Sequence, residues 1–79
     1  MGSDNLDDLG KKFKKLRLKA GLTQEMVAEK AGLDYKHYQS IEGGRKKDLK
    51  LKTIKKLAEA FDLKPHELVK ILFTEKRNS

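Results

Sequence analysis

The chain contains no cysteine, one proline and two histidines among its 79 residues. Without cysteine it has neither a disulfide framework nor a thiolate metal site, and His37 and His66 alone cannot complete a tetrahedral zinc site. No apolar run approaches the roughly 18 residues that a membrane-spanning helix needs, and no signal-peptide pattern opens the sequence. We therefore expect a cytoplasmic protein with no cofactor, no metal, no small-molecule ligand and no membrane contact.

Positive charge predominates and is unevenly distributed. Lys and Arg number 19 against 12 Asp and Glu, for a net charge of +7, and the first ten residues carry three of the acids and no base. Six bases and no acid lie in residues 11–19, and seven bases against Asp48 lie in residues 45–56. Concentrated positive charge attracts nucleic acid, although charge alone is equally compatible with solvated lysine-rich helix faces.

The length predicts one domain, because cores divide only in much longer chains. We assign residues 1–5 to a flexible acidic N-terminus, residues 6–73 to the folded domain and residues 74–79 to a polar tail. Apolar residues recur at helical spacing and no alternation of period two is present. We therefore predict an all-α fold, a compact bundle of five short helices.

The first helix is predicted from an apolar stripe that Gly21 ends. Gly10 inside the stripe leaves the start of the regular helix open. The stripe consists of Leu6, Leu9, Phe13 and Leu16.

A second helix is predicted after Thr23, a good N-cap, to about Ala31, and a third after Asp34, another N-cap, to about Glu42. Gly32 between them can adopt the positive φ of a tight turn. The predicted inward residues are Val27, Ala28 and Ala31 on the second helix, with Tyr38 and Ile41 on the third.

The last two helices carry clear apolar stripes. Pro65 is suited to the first position of the fifth helix, and Glu67 to its first turn, whereas Lys64 is a poor cap. The stripes are Ile54, Leu57, Ala58 and Phe61 on the fourth helix, and Leu68, Ile71 and Leu72 on the fifth.

Two short helices joined by a glycine turn form a helix-turn-helix, whose second helix can enter a major groove. At about 100° per residue, one face of this helix lies opposite Tyr38 and Ile41. Its side chains can donate hydrogen bonds to base edges, and its glutamine and serine can also accept them. An ordinary amphipathic helix with a solvated face is the alternative. The residues on this face are Tyr35, Lys36, Gln39, Ser40 and Gly43.

The segments Leu22–Ala28 and Ile41–Arg45 resemble the lambda-repressor-like (Cro/repressor, XRE) helix-turn-helix family, and the likeness extends over residues 6–72. It implies a five-helix lambda-repressor-like bundle with the helix-turn-helix at helices 2 and 3. The start at Leu33–Asp34 and the end at Ile41–Glu42 are also similar to small controller proteins of restriction-modification systems.

The resemblance implies roles for individual residues. It implies a structural ion pair between Arg17 and Glu42, which bridges the first and third helices, and a capping role for Asp34. Base reading is implied for Tyr35, Lys36, Gln39 and Ser40, and phosphate contact for Gln24, Gly44, Arg45, Lys46 and Lys47.

Tyr38 departs from the family pattern, which has an aliphatic residue at this inward position. We expect the tyrosine either to tilt the third helix or to bring its hydroxyl to the surface. Two further departures are Leu49, where proline is common, and Lys64, where a small polar cap is usual.

The predicted function is sequence-specific binding of double-stranded DNA by a transcriptional regulator. One recognition helix reads few base pairs, so we expect a homodimer on a two-fold symmetric operator, with Val69, Leu72 and Phe73 in the dimer interface or, alternatively, covering this chain's own core. An antitoxin-type protein-interaction module and a nonspecific DNA binder are the alternative functions. We expect no enzymatic activity, because Asp34, His37 and Ser40 share one exposed helix without a pocket or oxyanion donors.

Overall fold

Five α-helices make up the fold in a computed structural model, which describes residues 4–45 and 49–73 and, within them, side chains from Leu9 onward. The prediction of an all-α bundle of five helices is therefore confirmed. The structure does not describe the side chain of Leu6 or any part of residues 74–79. The elements are α1 (Asp4–Lys19), α2 (Gln24–Ala31), α3 (Tyr35–Glu42), α4 (Leu51–Ala60) and α5 (Pro65–Phe73).

Local signals set the boundaries of the helix-turn-helix. The Thr23 hydroxyl accepts a hydrogen bond from the Met26 N–H at 3.1 Å and caps α2, and Gly32 ends that helix with a φ of 68°. Asp34 occupies the N-cap position of α3, but its side chain makes no capping hydrogen bond. The prediction that α3 begins after Asp34 is confirmed, but Asp34 does not cap the helix through its side chain.

The α4–α5 corner has one half of a capping box. The Lys64 N–H donates to Oε1 of Glu67 at 2.9 Å, whereas Lys64 itself has no side-chain oxygen to accept from the first-turn N–H groups. Leu63 packs against the core cluster to which the buried Leu68 belongs. We predicted that Ile71 faces inward, but it is 40% exposed. The buried stripe of this short helix ends instead with its neighbour Leu72.

The core is formed by apolar residues from all five helices, with α2 packed on α4 and α1 on α3. The Phe13 ring lies at its centre. It meets Tyr38 edge-on at 6.5 Å between ring centroids and stacks with Phe61 at 6.4 Å. Tyr38 and Phe13 are fully buried. None of the helices within the described ranges has the length and apolar character needed to cross a bilayer.

α1 begins at Asp4, so the backbone of Asp4 and Asn5, predicted to be flexible, belongs to the first helical turn. Gly10 lies inside α1 for a packing reason. A methyl group there would overlap the backbone carbonyl of Glu42 and lie 2.9 Å from the carbonyl oxygen of Ile41. Glycine thus allows the backbones of α1 and the end of α3 to touch.

We predict that Gly10→Ala destabilises the protein. Helix propensity alone would stabilise α1 by up to about 1 kcal/mol, but the methyl group must push α1 away from α3, and overpacking of this kind costs about 1–3 kcal/mol. Urea denaturation monitored by circular dichroism measures the balance. A raised denaturation midpoint would show that the two backbones are not in contact.

Candidate nucleic-acid interface

One face of α3 is directed away from the core. Tyr38 and Ile41 are fully buried, whereas Tyr35 is 42% exposed and Lys36 and Gln39 are also exposed. Ser40 is half-buried on the same side. The four residues predicted to read bases therefore lie on a surface that a ligand can approach.

This face forms one wall of a groove that also includes α1, the start of α2 and the loop after α3. Three cationic side chains, Lys14, Lys36 and Arg45, surround it. Sequence reasoning missed Lys14, because only the packing of α1 against α3 brings it to the groove; the basic run 11–19 was the available signal. The groove is lined by Lys14, Gln24, Lys36, Gln39, Ser40, Glu42, Gly43 and Arg45.

Ser40 forms a hydrogen bond within α3. Its hydroxyl donates to the backbone carbonyl of Lys36 at 3.1 Å, one helical turn earlier. The only hydroxyl hydrogen is thereby used within α3. Of the two capacities expected of it, the Ser40 side chain consequently offers the groove an acceptor and not a donor.

The carboxylate of Glu42, beneath the groove, accepts four hydrogen bonds. Oε2 accepts from Arg17 Nε at 2.6 Å and from the Tyr38 hydroxyl at 2.6 Å. Oε1 accepts from Gln24 Nε2 at 3.0 Å and from the second Arg17 nitrogen at 3.2 Å. The donors come from α1, α2 and α3, so a single side chain connects the three helices.

Arg17 is committed to this internal network. Its guanidinium also donates to the carbonyl of Leu22 at 3.0 Å, and the side chains of Arg17 and Glu42 are 11% and 4% exposed. Tyr38 is fully buried, so the expectation that its hydroxyl reaches the surface is wrong. Instead, its hydroxyl finds a partner in the buried carboxylate.

Burial would raise the pKa of Glu42, but the hydrogen bonds from Arg17, Tyr38 and Gln24 outweigh it and hold that pKa below its ordinary value. Burial, together with the hydrogen bond to Glu42, raises the pKa of Tyr38. The hydrogen bond to Glu42 raises the pKa of Arg17. At neutral pH the network is therefore a carboxylate, a guanidinium and a protonated phenol.

Two of the residues predicted to contact phosphate, Gln24 and Arg45, line the same groove. Gln24 is half-buried and bonded to Glu42, and Arg45 is exposed. Gly44 adopts a φ of 80°, and its N–H donates to the carbonyl of Ile41 at 3.2 Å, which leaves that amide engaged. Lys46 and Lys47 lie outside the described residues.

The predicted dimer residues differ in exposure. Leu72 is 3% exposed and belongs to this chain's own core, the role that the sequence offered as the alternative to the dimer interface. Its backbone carbonyl accepts a hydrogen bond from Lys12 Nζ at 2.9 Å, which ties α5 to α1. Val69 is partly buried against the core, whereas Phe73 is 60% exposed.

The second helix of the helix-turn-helix, α3, is half exposed and lies beside a cationic groove. This arrangement defines a DNA-binding regulator of the helix-turn-helix class. Residues 13–68 match the family model described as Helix-turn-helix, and the chain belongs to that family. The lambda-repressor-like, XRE-type family predicted from the sequence is confirmed.

A solved structure is also similar, that of the restriction-modification controller protein C.AhdI from Aeromonas hydrophila. The two sequences are 36% identical and the TM-score is 0.72, over 84% of this chain and 97% of that chain. The likeness to controller proteins seen in α3 therefore extends over most of the chain. No curated protein matches the sequence.

We predict that Tyr38→Phe lowers the free energy of unfolding by about 1.5–3 kcal/mol, the range for a hydrogen bond to a charged group. The ring still fills the core, but Glu42 loses a donor. Tyr35→Phe on the exposed side of α3 is the matched control and should change stability by no more than about 0.5 kcal/mol. Equal effects of the two substitutions in urea denaturation would contradict the buried hydrogen bond.

The lowered pKa of Glu42 predicts an acid-sensitive contribution to stability. A carboxylate whose pKa is lower in the folded state stabilises the fold above its unfolded pKa of about 4.3, and the contribution is lost as the pH falls through the folded value. Glu42→Gln should therefore be less stable than the wild type at pH 7, and the difference should narrow on acidification below about pH 5. Denaturation curves of both proteins, collected at several pH values from 7 to below about 5, measure the difference in stability. A difference that does not change with pH would contradict the prediction.

Proposed function

We propose that this protein regulates transcription by binding double-stranded DNA sequence-specifically, with α3 in the major groove. The observation that carries the proposal is the exposed polar face of α3 beside the cations Lys14, Lys36 and Arg45. A major groove is wide enough for one helix, and its base edges carry distinguishable donors and acceptors. The likeness to a controller protein supports a regulatory role, and we extend the proposal to control of restriction-modification genes.

Phosphate contacts supply the affinity in this proposal. Lys14 from α1 and Arg45 from the loop after α3 both line the groove, and the predicted contacts Lys46 and Lys47 follow Arg45 in the sequence. Gln24 and the backbone at Gly44 complete the predicted set. Neutralisation of phosphates by such cations releases counterions, so the affinity falls steeply with salt concentration.

Base contacts supply the selectivity. Lys36 can donate to O6 and N7 of guanine, and Gln39 can pair with N6 and N7 of adenine. Ser40, whose hydrogen is used within α3, is suited to accept from an adenine or cytosine amino group. Tyr35 adds an exposed hydroxyl and ring at the start of the helix.

A homodimer on a two-fold symmetric operator completes the proposal, with half-sites about 34 Å apart or a multiple of that spacing. Among the predicted interface residues, the exposed side chain of Phe73 is the one best placed to contact a second copy. Ile71, which is 40% exposed on the same helix, adds apolar area.

Selection from random duplex DNA at roughly 150 mM salt, where nonspecific electrostatic binding is weakened, tests the proposal. We expect the sequences of the bound pool to contain a two-fold symmetric motif. A pool without a motif, together with binding that disappears as salt rises, would instead identify a nonspecific binder.

We predict that Lys36→Ala relaxes the preference at one or two base positions of that motif, at a cost of about 1–3 kcal/mol in discrimination. Lys14→Ala, in the same groove but on α1, is the matched control: it should weaken binding to all sequences and leave the motif unchanged. An identical motif for wild type and Lys36→Ala would show that the proposed register of α3 on DNA is wrong.

A further inference from the structure

Gln24 joins the groove to the buried network beneath it. Its half-buried side chain lines the groove, and its Nε2 donates to Oε1 of Glu42 at 3.0 Å. Because an ionised carboxylate only accepts hydrogen bonds, the amide nitrogen must be the atom that faces Glu42. The carbonyl oxygen of Gln24, which bonds no other described residue, is left for a ligand, together with the second N–H.

Glu42 can hold this amide only if the carboxylate itself is fixed. A carboxylate has about four acceptor positions, and two donors from Arg17, the Tyr38 hydroxyl and Gln24 fill them. The Tyr38 contact, at 2.6 Å, is among the two shortest. Without it, Oε2 would have a vacant acceptor position, and the carboxylate could rotate towards the remaining donors.

We propose that Tyr38, although fully buried and unable to touch DNA, is a positioning residue for DNA binding. Its hydroxyl fixes Glu42, and Glu42 fixes the amide of Gln24 with a defined edge towards the ligand. An aliphatic side chain at this position would fill the core without supplying the donor. The inference rests on the proposed function of the groove and adds a residue inside the core to the determinants of affinity.

A double-mutant cycle in DNA affinity tests the inference. The duplex is the one selected with the wild type, and the proteins are wild type, Tyr38→Phe, Gln24→Ala and the double variant, all at a temperature where circular dichroism shows them folded. We expect Tyr38→Phe to weaken binding about 3- to 10-fold in the wild type, in the range of measured couplings between contacting residues. In the Gln24→Ala background it should have no further effect.

Lys36→Ala provides the matched background, because Lys36 lines the groove but does not contact Glu42 through any hydrogen bond among the described residues. There the loss caused by Tyr38→Phe should persist undiminished. Equal losses in the Gln24→Ala and wild-type backgrounds would overturn the inference, as would no loss in the wild type. If Tyr38→Phe is partly unfolded, the cycle is repeated in trimethylamine N-oxide, which favours the folded state.

A measurement without DNA separates this inference from the proposed function. The side-chain amide resonances of Gln24 in the free protein should shift in Tyr38→Phe and stay unchanged in Tyr35→Phe. Unchanged Gln24 resonances in Tyr38→Phe would overturn the positioning role. If the wild type prefers no duplex sequence, the proposed function fails, while the amide resonances still report whether Tyr38 controls Gln24.

Discussion

The arrangement of the first three helices depends on one buried anion. Glu42 is almost completely removed from water, and an isolated carboxylate in such a place is unfavourable enough that it must be neutralised or fully hydrogen-bonded. Here Arg17 supplies the opposite charge from α1, Tyr38 a hydroxyl from α3 and Gln24 an amide from α2. Because each donor has its own direction, the network specifies the relative positions of three helices more narrowly than apolar packing alone does.

The fold could be predicted largely because its signals are local. The boundary residues act through their own backbone or the next turn, as Thr23, Gly32 and Pro65 do. The limits of α2, α3 and the start of α5 could therefore be predicted from the sequence. Asp34 shows the limit of such rules. It has the right residue type at the right position, yet its side chain makes no cap.

Features that depend on contact between distant segments were less predictable. Gly10 weakens a helix according to its propensity, and only the approach of the Glu42 carbonyl explains why it is there. Ile71 and Leu72 are neighbours on a short helix, and their sequence spacing does not decide which of the two is buried. The exposed face of α3 followed from periodicity, whereas the presence of Lys14 beside it and the hydrogen bond from Gln24 to Glu42 depend on three-dimensional packing.

The contact at Gly10 also bears on the thermodynamics of association. Where α1 meets the end of α3, backbone lies against backbone, and no change of rotamer can alter the separation of the two helices. α3 is therefore held as part of a rigid body before any ligand arrives. Preorganisation of this kind removes the entropic cost of ordering α3 on binding. The entropy that is still lost comes from ordering the long side chains of the groove and the ligand itself.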